Sequence, residues 1–190
     1  MTIGFKVSIT AVLAAVLVLC AAGVAMAAQP GPAYLAVESS SAAARGQNGV
    51  TLTASTNGDI PRLTEAFIAG QVIVGIAWAD LDSGTAVVAT IHPVIGRDSF
   101  QRPDAWHLHT VQLTPGATAP NDFCLVEVAS TPTGGIQIQG SSMKVNLRAS
   151  EMPSVGGSPI SASDIDAAVG FTVHPGDAGC TTGLGVRVRN

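Results

Sequence analysis

The sequence predicts an all-β protein, a single β-sandwich or Greek-key barrel of about eight or nine short strands preceded by a signal peptide. Three observations predict it: runs of Val, Ile and Thr with a two-residue period recur along the chain, clusters of Gly, Asn, Asp, Ser and Pro separate them, and no helical period alternates with them as a βαβ fold would require. Composition agrees, since aromatic residues make up 4% and charged residues 12% of the chain, leaving small and β-branched side chains to dominate, as in compact strands joined by turns.

Residues 1–27 precede the fold. Lys6 supplies a basic start, residues 7–24 carry no charge, and Ala25-Met26-Ala27 is a small-x-small cleavage pattern before the turn-prone Gln29-Pro30-Gly31-Pro32. This predicts export, with Ala28 as the mature N-terminus and a secreted or extracytoplasmic location, at the cell surface or in a periplasm-like space. Retention as a membrane anchor is the alternative, because the apolar run approaches the roughly 18 to 20 residues of a spanning helix. Cys20 follows Leu19 rather than the small residue that cleavage before a lipid-modified cysteine needs.

Without this leader the chain keeps eight of its nine basic residues and all thirteen acidic ones, a formal charge of −5. No basic run or basic-aromatic interleaving occurs, which argues against nucleic acid as a partner. The partners that remain are a protein or a cell-surface component, with membrane attachment only through an uncleaved signal. Of three cysteines, Cys124 and Cys180 lie outside the leader. An even pair in an oxidising compartment predicts one disulfide, closing a loop of roughly 55 residues and contributing about 4 kcal/mol. Zinc on these cysteines is the other reading, with wide spacing and no C-x-x-C against it.

About 163 residues follow the leader, enough for one domain and short for two. Residues 28–48 lack a sustained period and read as a flexible leader with one edge strand near residues 34–37; residues 49–190 form the domain. Residues 50–54 alternate up to the Asn57-Gly58-Asp59 turn. Residues 71–78 and 86–95 pair as a hairpin across residues 80–84. Residues 63–69 fit a helical turn or the front of a strand, and residues 96–104 form a polar excursion before the next strand. Residues 123–129 are strand-like, residues 136–138 and 143–147 make a second hairpin, Ser163 caps a short helical turn with Asp166 three residues on, and residues 169–174 and 184–189 close the fold.

The chemistry lies in the histidines. In Ala105-Trp106-His107-Leu108-His109 the strand period puts His107 and His109 on one face, with Trp106 and Leu108 on the other. His92 and His174 end apolar strands in two near-identical tetrads, Thr90-Ile91-His92-Pro93 and Thr172-Val173-His174-Pro175. Four imidazoles in such positions suit copper or zinc. The expected set is His107 or His109 converging with His174, drawn in by the disulfide, with His92 as fourth choice and Asp98, Asp104 and Asp177 as carboxylates to orient the rings. The competing and simpler reading is that each histidine is a partly buried hydrogen-bonding residue, with T-x-H-P a strand terminator that recurs.

The segment Gly170-Phe171-Thr172-Val173-His174-Pro175-Gly176-Asp177-Ala178-Gly179-Cys180 resembles the copper-ligand and disulfide segment of copper–zinc superoxide dismutases, whose pattern is G-F-H-x-H, then G-D, then G-C. Over these eleven residues His174 and Cys180 carry over, while Thr172 stands where the first copper histidine falls. His107, His109 and His174 together resemble chordin-type (CHRD) domains, secreted β modules with an H-x-H before a later V-H, and this likeness implies an extracellular binding module. No G-x-S-x-G, H-E-x-x-H, P-loop or dinucleotide motif is present, and Cys180 has no following histidine for a blue-copper cluster. No catalytic residue is assigned. Two functions fit: a secreted or cell-surface β domain with a non-enzymatic structural or interaction role, or an extracytoplasmic copper or zinc protein using clustered histidines.

Overall fold

A computed structural model describes residues 31–62, 73–92, 105–116, 122–176 and 178–189. The signal segment, residues 63–69 and 96–104, and Asp98, Asp104 and Asp177 lie outside the described residues. Among those described, all regular structure is β apart from three single 3-10 turns, and no helix is long and apolar enough to cross a membrane. The strands are β1 (Val37–Arg45), β2 (Gly49–Thr56), β3 (Ile73–Asp80), β4 (Thr85–Ile91), β5 (His107–Pro115), β6 (Phe123–Ser130), β7 (Gly135–Gln139), β8 (Ser142–Arg148), the two-residue β9 (Ser154–Val155) and β10 (Ser158–Pro159), β11 (Ala167–Pro175) and β12 (Leu184–Arg189).

The all-β class stands, and its arrangement is a closed six-stranded barrel in the order β11-β12-β6-β5-β4-β3, with a four-stranded sheet β1-β2-β8-β7 beside it. All barrel pairs are antiparallel. Both predicted hairpins form, β3–β4 and β7–β8. In the second, Gly140 takes φ 57° at the first position of a two-residue loop, which a side chain would disfavour.

The separate sheet packs on the outside of β3, β4 and β5. Val50, Leu52 and Ala54 of β2 and Met143, Val145 and Leu147 of β8 alternate with more exposed neighbours and form one core with Ile76, Trp78, Val87, Ala89 and Leu108. Trp78 is fully buried there, and its indole N–H donates to the Thr53 carbonyl at 2.9 Å. Barrel strands β3 and β4 are therefore covered on both faces and are buried almost end to end. That explains why residues 73–79 and 86–91 read as continuous apolar runs.

Sequence expectations change in detail: twelve strands are present among the described residues where eight or nine are expected, and residues 33–35 form a 3-10 turn. Residues 37–45, within the stretch read as a flexible leader, form the nine-residue edge strand β1 paired along its length with β2. Its Ser and Ala side chains are mostly exposed, so no apolar period betrays it. The capped turn lies two residues earlier than expected: Asp164 accepts from the backbone N–H of Ser161 at 2.7 Å and from its hydroxyl at 2.9 Å. Asp166 instead accepts from the backbone N–H of Leu81 at 2.8 Å, tying the start of β11 to the β3–β4 turn.

Candidate metal centre

Strand alternation sorts the barrel wall. Ala77 and Ala79 of β3, Val88 and Thr90 of β4, His109, Val111 and Leu113 of β5, Val169, Phe171 and Val173 of β11, and Val186 and Val188 of β12 line the lumen. The parity of β5 puts His107 on this same inner face, while Leu108 points outward into the core against the second sheet and Trp106 packs there too. The expected division of this segment therefore holds.

β4 and β5 pair Thr90 with His107 and Val88 with His109. His92, two residues past Thr90, keeps the inward parity and reaches the histidines of β5. His107 Nε2 lies 2.9 Å from His92 Nε2. Ring centroids are 4.6 Å apart for His92 and His107, 4.9 Å for His107 and His109, and 6.0 Å for His92 and His109. One nitrogen from each of the three lies within 4.8 Å of the others, and the residues are only 4%, 6% and 7% exposed.

Two details of this geometry suit a metal. The Ala105 carbonyl, 3.0 Å from His107 Nδ1, can only accept, so it holds the proton on Nδ1 and leaves Nε2 of the neutral ring with its lone pair toward His92. Secondly, a tetrahedral ion with Zn–N bonds of about 2.0–2.1 Å sets its nitrogens about 3.3 Å apart. The observed separations are within side-chain adjustment of that value. A backbone carbonyl thus fills the orienting role expected of an aspartate, which residue type alone does not signal.

His174 is the correction. The inner residues of β11 are 169, 171 and 173, so His174 and Thr172 point out of the barrel, on the opposite side of the wall from the other three histidines. The Thr172 hydroxyl lies 2.7 Å from His174 Nε2, and Arg189 contacts both side chains, at 3.0 Å to Thr172 and 3.3 Å to His174. Burial first, and then the charges of Arg187 and Arg189, lower the His174 pKa. The two T-x-H-P tetrads share a sequence and a strand-end position, and differ in which face of the wall their parity selects.

The Cys124–Cys180 disulfide is present, with Cα atoms 5.3 Å apart. It does not steer His174 toward His107, because Cys124 pairs with Thr114 at the far end of β5, seven residues or about 23 Å along the strand from His107. Instead it supports the barrel seam. β6 and β12 meet through only two residue pairs, Cys124 with Gly185 and Phe123 with Val186. Asp122, which accepts from the backbone N–H of Val188 at 2.7 Å, and Thr182, whose hydroxyl donates to the Leu125 carbonyl, reinforce the same seam.

The lumen, a cavity of about 580 Å³, is the feature the sequence reading missed. Its signal is the recurrence of Ala at inward positions of β3, where larger side chains would fill the space. No family model, curated protein or solved structure matches this chain.

Proposed function

We propose that this is an extracytoplasmic metal-binding barrel that holds one zinc or copper ion on His92, His107 and His109. The observation that carries the reading is the gathering of three buried imidazoles, their nitrogens within 4.8 Å of one another, on a wall otherwise built mainly of Ala, Val, Leu and Phe. A purely structural wall gains nothing from polar rings that apolar residues of like shape would replace without desolvation cost. Three neutral nitrogen ligands suit zinc or copper and leave one tetrahedral position open. That position borders the lumen, since His92 and His109 are part of its lining.

Elemental analysis of the untagged, exported protein after exposure to zinc or copper tests the reading. About one equivalent per chain is expected, with His109→Ala lowering affinity about a hundredfold or more and His174→Ala leaving it unchanged. A chain that retains neither metal, or equal losses in the two variants, overturns it.

A further inference from the structure

The cavity behind the histidines falls within the roughly 300–1,000 Å³ of small-molecule sites. Its middle is apolar, walled by Ala77, Val88, Val111, Leu125, Phe171 and Val186. Polar groups sit at its ends. Thr90, His92 and His109 mark one; Asp80 and Thr85 mark the other, at the β3–β4 turn. Asp80 is committed to that turn, accepting from the backbone N–H groups of Asp82 and Ser83 and from the Ser83 hydroxyl at 2.7 Å. Glu127 also lines the cavity but is exposed on β6. Thr85 is tied into the same turn, its hydroxyl 2.9 Å from that of Ser83, whereas the other end presents the buried imidazoles of His92 and His109 to a guest.

The lumen has an apolar way in. Leu81 and Val128 line it while remaining 49% and 50% exposed. Beyond Cys124, β6 pairs with β5 and not with β12, and Glu127, Val128, Ala129, Ser130 and Thr131 line the cavity there while exposed to solvent. At roughly 30 Å³ per heavy-atom-sized group the cavity holds fewer than about twenty non-hydrogen atoms.

Resting on the metal reading above, we propose that the loaded barrel takes up an apolar monocarboxylate, its carboxylate on the open position of the ion and its hydrocarbon chain along the lumen. A dication held by three neutral imidazoles keeps its full charge and favours an anionic fourth ligand. Walls of Ala, Val, Leu and Phe favour a tail without polar groups, and each buried methylene raises affinity up to roughly fourfold.

Calorimetric titration of zinc-loaded and zinc-free protein with hexanoate, octanoate and decanoate, and with decanol as the uncharged control, tests this. Affinity is expected to rise severalfold from each acid to the next, and decanoate is expected to bind the zinc-loaded form at least tenfold tighter than decanol does, or than decanoate binds the zinc-free form. Ala77→Leu and, at a second wall position, Ala167→Leu are each expected to weaken decanoate at least tenfold, with zinc stoichiometry and thermal midpoint recorded to show that the variants fold. Zinc uptake without chain-length-dependent acid binding overturns this proposal and leaves the metal reading standing. Failure to take up zinc overturns both.

Discussion

His107 Nε2 lies 2.9 Å from His92 Nε2, although fifteen residues separate them in the chain. Since the Ala105 carbonyl keeps the His107 proton on Nδ1, His92 is the donor of this contact when both rings are neutral. Long-range ¹H–¹⁵N spectra of the metal-free protein at pH 8 are expected to show His107 as the Nδ1–H tautomer and His92 as the Nε2–H tautomer. Adding zinc should move the His92 proton to Nδ1, because the ion takes its Nε2. A His107 ring protonated on Nε2 at that pH would contradict the assignment.

Metal binding should also stabilise the fold, because the three ligands come from β5 and the end of β4 and converge only when these two strands are paired. With free zinc at a hundred times its dissociation constant, linkage predicts about 2.7 kcal/mol. Chemical denaturation with zinc and with chelator measures it, and His92→Ala should abolish most of the difference.

The acid limb of stability should depend on His174. Its pKa is lowered in the native state, chiefly by burial and further by Arg187 and Arg189, whereas an unfolded histidine titrates near 6.5. Below that value the unfolded chain takes up a proton that the native ring resists. The contribution is therefore fully present above about pH 6.5 and is lost as pH falls toward the native pKa. Urea midpoints recorded between pH 8 and pH 5 should fall less steeply for His174→Gln than for the parent; identical slopes would show that this ring does not control the limb.

The seam disulfide should matter for stability more than for the site. Replacing both Cys124 and Cys180 by Ser removes a cross-link between residues 56 apart, and the chain-entropy model gives a loss of about 4 kcal/mol. Denaturation midpoints under non-reducing conditions check this. Zinc stoichiometry of the folded fraction should be unchanged, since the bridge lies at the end of β5 remote from His107.

Gly170 is required by contact. A Cβ there would overlap the backbone carbonyl of Leu35, which is fully buried in the 3-10 turn laid across β11. Gly170→Ala should therefore displace that turn and cost roughly 2–4 kcal/mol. A thermal midpoint equal to that of the parent would show that the turn yields freely.

The all-β class, both hairpins, the closing strands, the Cys124–Cys180 pair and the shared face of His107 and His109 are legible in the residues alone. Each of these follows from local rules: a two-residue period, turn residues at its breaks, and an even cysteine count. That residues 37–45 form a strand emerges only from their pairing with β2, because a Ser- and Ala-rich edge with little burial carries no periodic signal. Barrel closure likewise selects which T-x-H-P histidine joins the pair on β5. Parity fixes a side chain relative to its strand neighbours, but whether that side is the lumen or the outside depends on how the sheet curls. The closure of β11 through β3 turns Val173 inward and His174 outward, while β4 turns His92 inward. The cavity is likewise a property of closure, since the Ala residues that leave it open are distinguished only by the walls they face.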